Sequence, residues 1–113
     1  FLLASLSVQS ALAAALFSPL SLDLAKAQAS KDNKLVLVDF TASWCGPCHR
    51  MEQDTWSDPE VQKWVGSNAI ALQLDVDKEK AVSESFQIRA MPSVVVFRGS
   101  DYSKEFDRHV GYM

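Results

Sequence analysis

Cys45 and Cys48 are the only cysteines in this 113-residue chain, and only Gly46 and Pro47 lie between them. At that spacing one thiolate can attack a disulfide and the other can resolve the mixed disulfide that forms. His49 follows directly, so the same letters also read C-x-x-C-H, the attachment pattern of a c-type haem. In that reading the cysteines form two thioethers and His49 is the axial ligand. A third reading is a buried, inert pair. A structural staple is disfavoured, because closing so short a loop removes little entropy from the unfolded chain. Zinc is poorly served: His49 and His109 are the only histidines, and no second paired spacing exists.

The neighbouring residues must position the pair. Leu35-Val36-Leu37-Val38-Asp39-Phe40 is an almost continuous apolar run, as in a strand covered on both faces. Residues 41–44 then form a short loop ending in Trp44, and a helix is expected to open at Cys45, with Pro47 tolerated in its first turn. Unpaired N–H groups at a helix start favour a thiolate, lowering a thiol pKa from about 8.5 towards roughly 7. Cys45 is therefore the expected nucleophile and Cys48, one turn on, the less exposed resolving thiol. At least one sulfur is expected to reach solvent. Asp39 is the one polar member of the apolar run, and burial there should raise its pKa by penalising the charged form.

Further along, Leu20, Leu24 and Ala27 fall at helical spacing, predicting a helix over 20–30 after Pro19. Ser57-Asp58-Pro59-Glu60 reads as a capping box opening a short helix with Val61, Trp64 and Val65 on its apolar face, ended by Gly66. Residues 69–74 read as a strand and 78–86 as a charged-faced helix. Ser93-Val94-Val95-Val96-Phe97 is the most β-prone run, followed by a turn and a last strand over 104–110. The order is α-β-α-α-β-α-β-β in one domain with a mixed sheet. Trp44 reads as a surface lid over the motif, whereas Trp56 and Trp64 read as packing residues.

At 48% hydrophobic and 22% charged, the composition suits one globular core. A net charge of −3 with no Lys/Arg cluster gives no reason to expect nucleic-acid binding. No charged residue occurs before Asp23, and residues 1–18 form a Leu/Ala-rich leader preceding a domain over 19–113. The leader resembles the apolar core of a secretory signal, with Ala11-Leu12-Ala13 or Ala13-Ala14-Ala15 as cleavage sites. The plain alternative is an N-terminal helix of the domain. A membrane-spanning helix fits less well, since Ser5, Ser7, Gln9 and Ser10 dilute the run and Pro19 interrupts it. A start at Phe1 reads as a fragment or a trimmed product.

Three segments carry a family resemblance: the apolar strand ending Asp39-Phe40, the motif Trp44-Cys45-Gly46-Pro47-Cys48, and Ala90-Met91-Pro92-Ser93 before a β-run. In that order and spacing the chain resembles the thioredoxin fold from about residue 20 to 113. Ser57-Asp58-Pro59-Glu60-Val61 adds a likeness to exported domains, such as the C-terminal domain of membrane thiol:disulfide interchange reductases. The resemblance implies an α/β fold, a central mixed sheet flanked by helices. It also implies a redox-active Cys45–Cys48 disulfide, Asp39 as proton relay to the resolving cysteine, and Pro92 as a cis-proline. Trp44, Gly46, Pro47, Met91 and Pro92 would shape the substrate surface. Thioredoxins proper carry a lysine near the acid, and Gln73 stands at that position here. The family continues past residues 110–113 into a helix over one sheet face. This sequence ends before that helix, so a partly uncovered sheet, the leader helix in its place, or a fragment of a longer chain is expected.

The expected function is thiol–disulfide oxidoreduction without a cofactor. Disulfide or dithiol proteins would be the substrates, with a second redox protein for recycling. Gly-Pro between the cysteines favours a reductase, for which a potential near about −270 mV is typical. The expected setting is an exported, periplasmic or extracytoplasmic monomer, with a membrane tether as an option and the cytoplasm as the alternative location. The rivals are the haem carrier and a redox-inert binding module of the same fold, although such modules generally lose one or both cysteines.

Overall fold

Why the motif sits where it does follows from β1. The computed structural model describes residues 8–113, so the leader residues 1–7 lie outside it. The elements run α1 (Val8–Leu16), α2 (Leu22–Lys31), β1 (Leu35–Thr41), α3 (Gly46–Asp54), α4 (Pro59–Asn68), β2 (Ala69–Asp75), α5 (Lys80–Ser85), β3 (Ser93–Arg98) and β4 (Asp101–Val110). Among the described residues they form a four-stranded mixed sheet in the order β2-β1-β3-β4. β1 runs parallel to β2 and antiparallel to β3, and β3 is antiparallel to β4.

Side chains alternate across a strand, and the two faces of this sheet are filled accordingly. Val36, Val38, Phe40, Leu72, Val95 and Phe97 point to one face, where Ala25 and Ala29 of α2 and Phe86 after α5 complete a core. Phe86 meets Phe40 edge-on, with ring centroids 5.5 Å apart. Leu37, Ala69, Ala71 and Val94 point the other way, against Met51 of α3, Trp56, Val65 of α4 and Ala13 of α1. Period two therefore sends Asp39 to the α3 face together with Leu37. The apolar α2 face closes so tightly that a Cβ on Gly99, in the β3–β4 turn, would lie 2.4 Å from the backbone of Ser30. Only glycine fits that approach.

The stretch read as a leader contributes a helix to this core. Ala13 is buried, Leu16 and Phe17 pack beside it, and Phe17 meets Trp56 edge-on at 5.5 Å. Gln62 of α4 donates to the carbonyl of Leu12, and the Ser18 amide donates to the carbonyl of Ala71. Phe17→Ala should lower the unfolding free energy by about 2 kcal/mol, the cost of a partly buried aromatic anchor. Urea unfolding followed by circular dichroism measures it; an unchanged midpoint would mean that α1 does not hold the core. Among the described residues no helix is long and apolar enough to cross a membrane.

Several local readings need correction. α4 is capped by Asp58, whose Oδ1 accepts the amides of Glu60 and Val61, while Ser57 bonds the carbonyl of Gln53 instead. A carboxylate at that position also complements the positive end of the helix. Gly66 lies inside α4 rather than ending it, because packing of Val65 outweighs the roughly 1 kcal/mol that glycine costs in a helix. Trp64 is 48% exposed, so it is not a packing residue. α5 is shorter than expected, and β4 begins at Asp101 rather than 104, with an irregular register opposite Phe97. On the α4 face an open groove of about 360 Å³ is lined by Leu37, Val61, Trp64, Val94, Val96 and Met113, among others. Among the described residues, none of α1 lines it.

Candidate functional site

The two cysteines close the gap between β1 and α3, and they are joined as a disulfide. Cys45 is the N-cap of α3: its backbone is extended and its Sγ accepts the amide of Cys48 at 3.2 Å. Pro47 occupies the first turn, where its missing N–H costs nothing. A sulfur held against an unpaired helix amide is the one whose thiolate is stabilised. That capping bond separates the two cysteines; exposure does not. Both residues are only 3% exposed, because Ala42, Val76 and Met91 pack against the pair.

The surface around the buried sulfurs is formed by residues singled out from the sequence. Trp44 is 66% exposed and is held by a 2.9 Å bond from its indole N–H to Asp77 Oδ2. Gly46 is exposed, and a Cβ there would meet only the Arg50 guanidinium at 3.7 Å. Met91 is half-buried against the cysteines, and Pro92 is buried. The Met91–Pro92 peptide is cis. Ser93 Oγ donates to the Ala90 carbonyl at 2.6 Å, and the Pro92 carbonyl accepts the Gly111 amide at 2.8 Å, which fastens the loop at both ends.

Asp39 is 2% exposed. Desolvation is the main cause that pushes its pKa up, from 3.8 to about 6; Glu52 adds to the rise, and a hydrogen bond from Gln73 and a weaker pull from Trp56 oppose it. The β1–β2 register places Gln73 directly opposite Asp39. Gln73 Nε2 donates to Asp39 Oδ2 at 3.0 Å and to Glu52 Oε2 at 3.2 Å, so one amide lies between two carboxyls. Asp39 Oδ1 and Trp56 Nε1 are both buried without a partner at bonding distance. An acceptor left unsatisfied in this way favours the protonated acid.

Sequence reasoning missed Glu52, Ser43 and Asp77. Glu52 stands three residues after His49, a spacing that brings side chains together on a helix and could have flagged it. Ser43 and Asp77 join the site through contacts that local sequence does not announce. In the haem reading His49 is an axial ligand. Its Nδ1 lies 3.2 Å from Glu52 Oε1 and its Nε2 lies 2.8 Å from the Ser43 carbonyl. In this arrangement the sulfurs are bonded to each other and both ring nitrogens are engaged within the protein. Among the described residues no cluster of three or more His, Cys, Asp or Glu could hold a metal ion.

With strand, capped dithiol and proline loop in place, comparison with known proteins decides the family: the thioredoxin-like pattern matches residues 18–99. The chain belongs to the thioredoxin-like family. Among curated relatives, Thioredoxin-1 of Drosophila melanogaster is 40% identical over 67 residues, covering 59% of this chain and 60% of that protein. This thioredoxin-like chain thus spans about three fifths of that relative's length. A poplar thioredoxin h structure is 31% identical with a TM-score of 0.64, covering 79% of this chain and 74% of that one. A DsbH oxidoreductase superposes with a TM-score of 0.73 at 18% identity, over 85% of this chain and 76% of that one, a likeness of fold alone.

Proposed function

We propose that this thioredoxin-like domain is a thiol–disulfide oxidoreductase acting on protein disulfides. The observation that carries the reading is the Cys45–Cys48 disulfide at the start of α3, with Cys45 Sγ on the Cys48 amide. In the reduced protein the Cys45 thiolate attacks one sulfur of a substrate disulfide and expels the other as a thiolate. The Cys48 thiol then gives its proton to the Asp39 carboxylate and attacks Cys45. This releases the second substrate thiol and restores the Cys45–Cys48 disulfide. Two electrons pass from the protein to the substrate, and the sulfurs carry them without a cofactor. A second dithiol protein would return the electrons.

The expected direction is reductive, from the Gly46-Pro47 filling; an extracytoplasmic setting is proposed from the uncharged apolar stretch ahead of Asp23, with α1 kept as part of the domain rather than removed as a signal. Trp44, Gly46, Pro47, Met91 and the Pro92 loop form the surface that meets the substrate chain. Equilibrating the Cys45–Cys48 couple with glutathione tests the direction. A potential near about −270 mV is expected for a reductase, and one near about −120 mV would make the domain an oxidant. Failure to reduce any model protein disulfide would overturn the oxidoreductase reading itself.

A further inference from the structure

The ring of His49 faces two acceptors. Nε2 lies 2.8 Å from the Ser43 carbonyl, and Nδ1 lies 3.2 Å from Glu52 Oε1. A carbonyl oxygen can only accept. Glu52 already accepts the Gln73 amide through its other oxygen, so it too is an acceptor here. A neutral imidazole has one N–H and can satisfy one of these partners; an imidazolium has two and satisfies both.

Each partner leads into the dithiol site. Ser43 belongs to the loop between β1 and Cys45 and precedes the exposed Trp44, which adjoins Cys45 in the chain. Glu52 leads through Gln73 to Asp39. We propose that His49 is a positioning residue for the dithiol site: as an imidazolium it ties the Ser43–Trp44 loop to α3 and holds Glu52 against Gln73, and loss of its proton releases one of the two ties. The inference deepens the oxidoreductase reading and rests on it.

The charges around His49 agree with this assignment. Glu52 faces it from α3, and Asp39 stands behind Gln73 on β1. α1, which packs against α3, carries no charged residue. Arg50, the adjacent cation, lies over the Tyr112 ring instead. The Ser43 carbonyl, followed by Glu52, holds the His49 pKa above its ordinary value. The site therefore loses a tie as pH rises through the upper part of the histidine range.

The test follows the oxidised protein by NMR from about pH 5 to 9, which spans histidine titration. It monitors the His49 ring, the Trp44 indole N–H and the Gln73 side-chain amide in an Asp39→Asn background, which removes the Asp39 titration that Gln73 would otherwise report, with His109 as internal control. Trp44 and Gln73 should shift with the same midpoint as His49. In His49→Arg, which donates to both acceptors at every pH, that inflection should vanish and both signals should stay at their low-pH positions. In parallel, the ratio of the His49→Arg rate of disulfide reduction to the wild-type rate should rise about threefold across the His49 midpoint, the scale of one exposed hydrogen bond to a charged group, since the Cys45 and Asp39 titrations are common to both proteins. Trp44 and Gln73 signals that ignore the His49 titration, or a rate ratio that stays flat across it, would overturn the inference. If no disulfide is reduced at all, the oxidoreductase reading fails, while the NMR arm still decides the role of His49.

Discussion

Cys48→Ser should turn the protein from a catalyst into a trap. Cys45 keeps its place at the N-cap of α3, and its thiolate can still attack, but no neighbouring thiol remains to displace the captured partner. A mixed disulfide through Cys45 should therefore accumulate with a model disulfide, and mass spectrometry would locate it. Turnover should fall by about 10³-fold or more, because the two sulfurs act as one unit. Cys45→Ser should capture nothing and lose turnover to the same degree. The decisive outcome is which variant traps. If Cys45→Ser accumulates a mixed disulfide through Cys48, the roles are reversed and the capping bond does not select the nucleophile. Since both cysteines are 3% exposed, burial would not have predicted either result.

The second large effect belongs to Asp39. Its folded pKa of about 6 lies above the ordinary 3.8, and burial is the first cause. An acid with a raised folded pKa binds its proton more tightly in the native state. Its contribution is fully present below about pH 4 and is lost as pH rises through about 6. Above that window the buried carboxylate destabilises the fold by about 3 kcal/mol, from roughly two units of displacement. Asp39→Asn should therefore match the wild-type protein near pH 3–4 and exceed it by up to about 3 kcal/mol at pH 8, where Asn needs no desolvated charge. Chemical denaturation across that range measures it.

The same substitution should slow disulfide exchange. If Asp39 takes the proton from Cys48, its loss should lower turnover by about 10²-fold at neutral pH, the usual scale of a positioned acid–base group. A more stable protein with unchanged turnover would make Asp39 a passive buried acid. The lone Gln73 amide between Asp39 and Glu52 suggests why the site keeps such a residue. Gln73 lowers the Asp39 pKa and Glu52 raises it, and the opposed influences leave the group close to neutrality, where an acid–base group is most useful.

Much of the fold was legible because the signals were strong and local. The run 35–40 could only be a strand covered on both faces, and Val94–Phe97 is β-branched and aromatic enough to be another. The misreadings came where local preference is weak or is overruled by packing. Ser57 and Asp58 are both good caps, and only the turn geometry chose Asp58. Gly66 reads as a stop, yet the buried Val65 beside it carries the helix on to Asn68. β4 starts early because a sheet edge tolerates polar residues such as Asp101 and Ser103. An apolar stretch with few charges has the same letters whether it is exported or packed, so the sequence left the leader open. The core contacts of Ala13 and Phe17 pack this stretch against the domain, with α1 lying on α3 and α4.

The candidate site divides in the same way. Two cysteines three positions apart permit thiol exchange, haem attachment or an inert pair; the buried strand before them, the helix they open and Pro92 downstream point to dithiol exchange. Tertiary structure set Cys45 Sγ against the Cys48 amide and left both residues almost wholly buried. It set Asp39 opposite Gln73 across 34 residues of chain, and it turned His49 between Ser43 and Glu52. The physical reason is range. Reactivity of a residue type is a property of the residue and its near neighbours. Burial, register and the partners that move a pKa arise only when distant segments pack against one another.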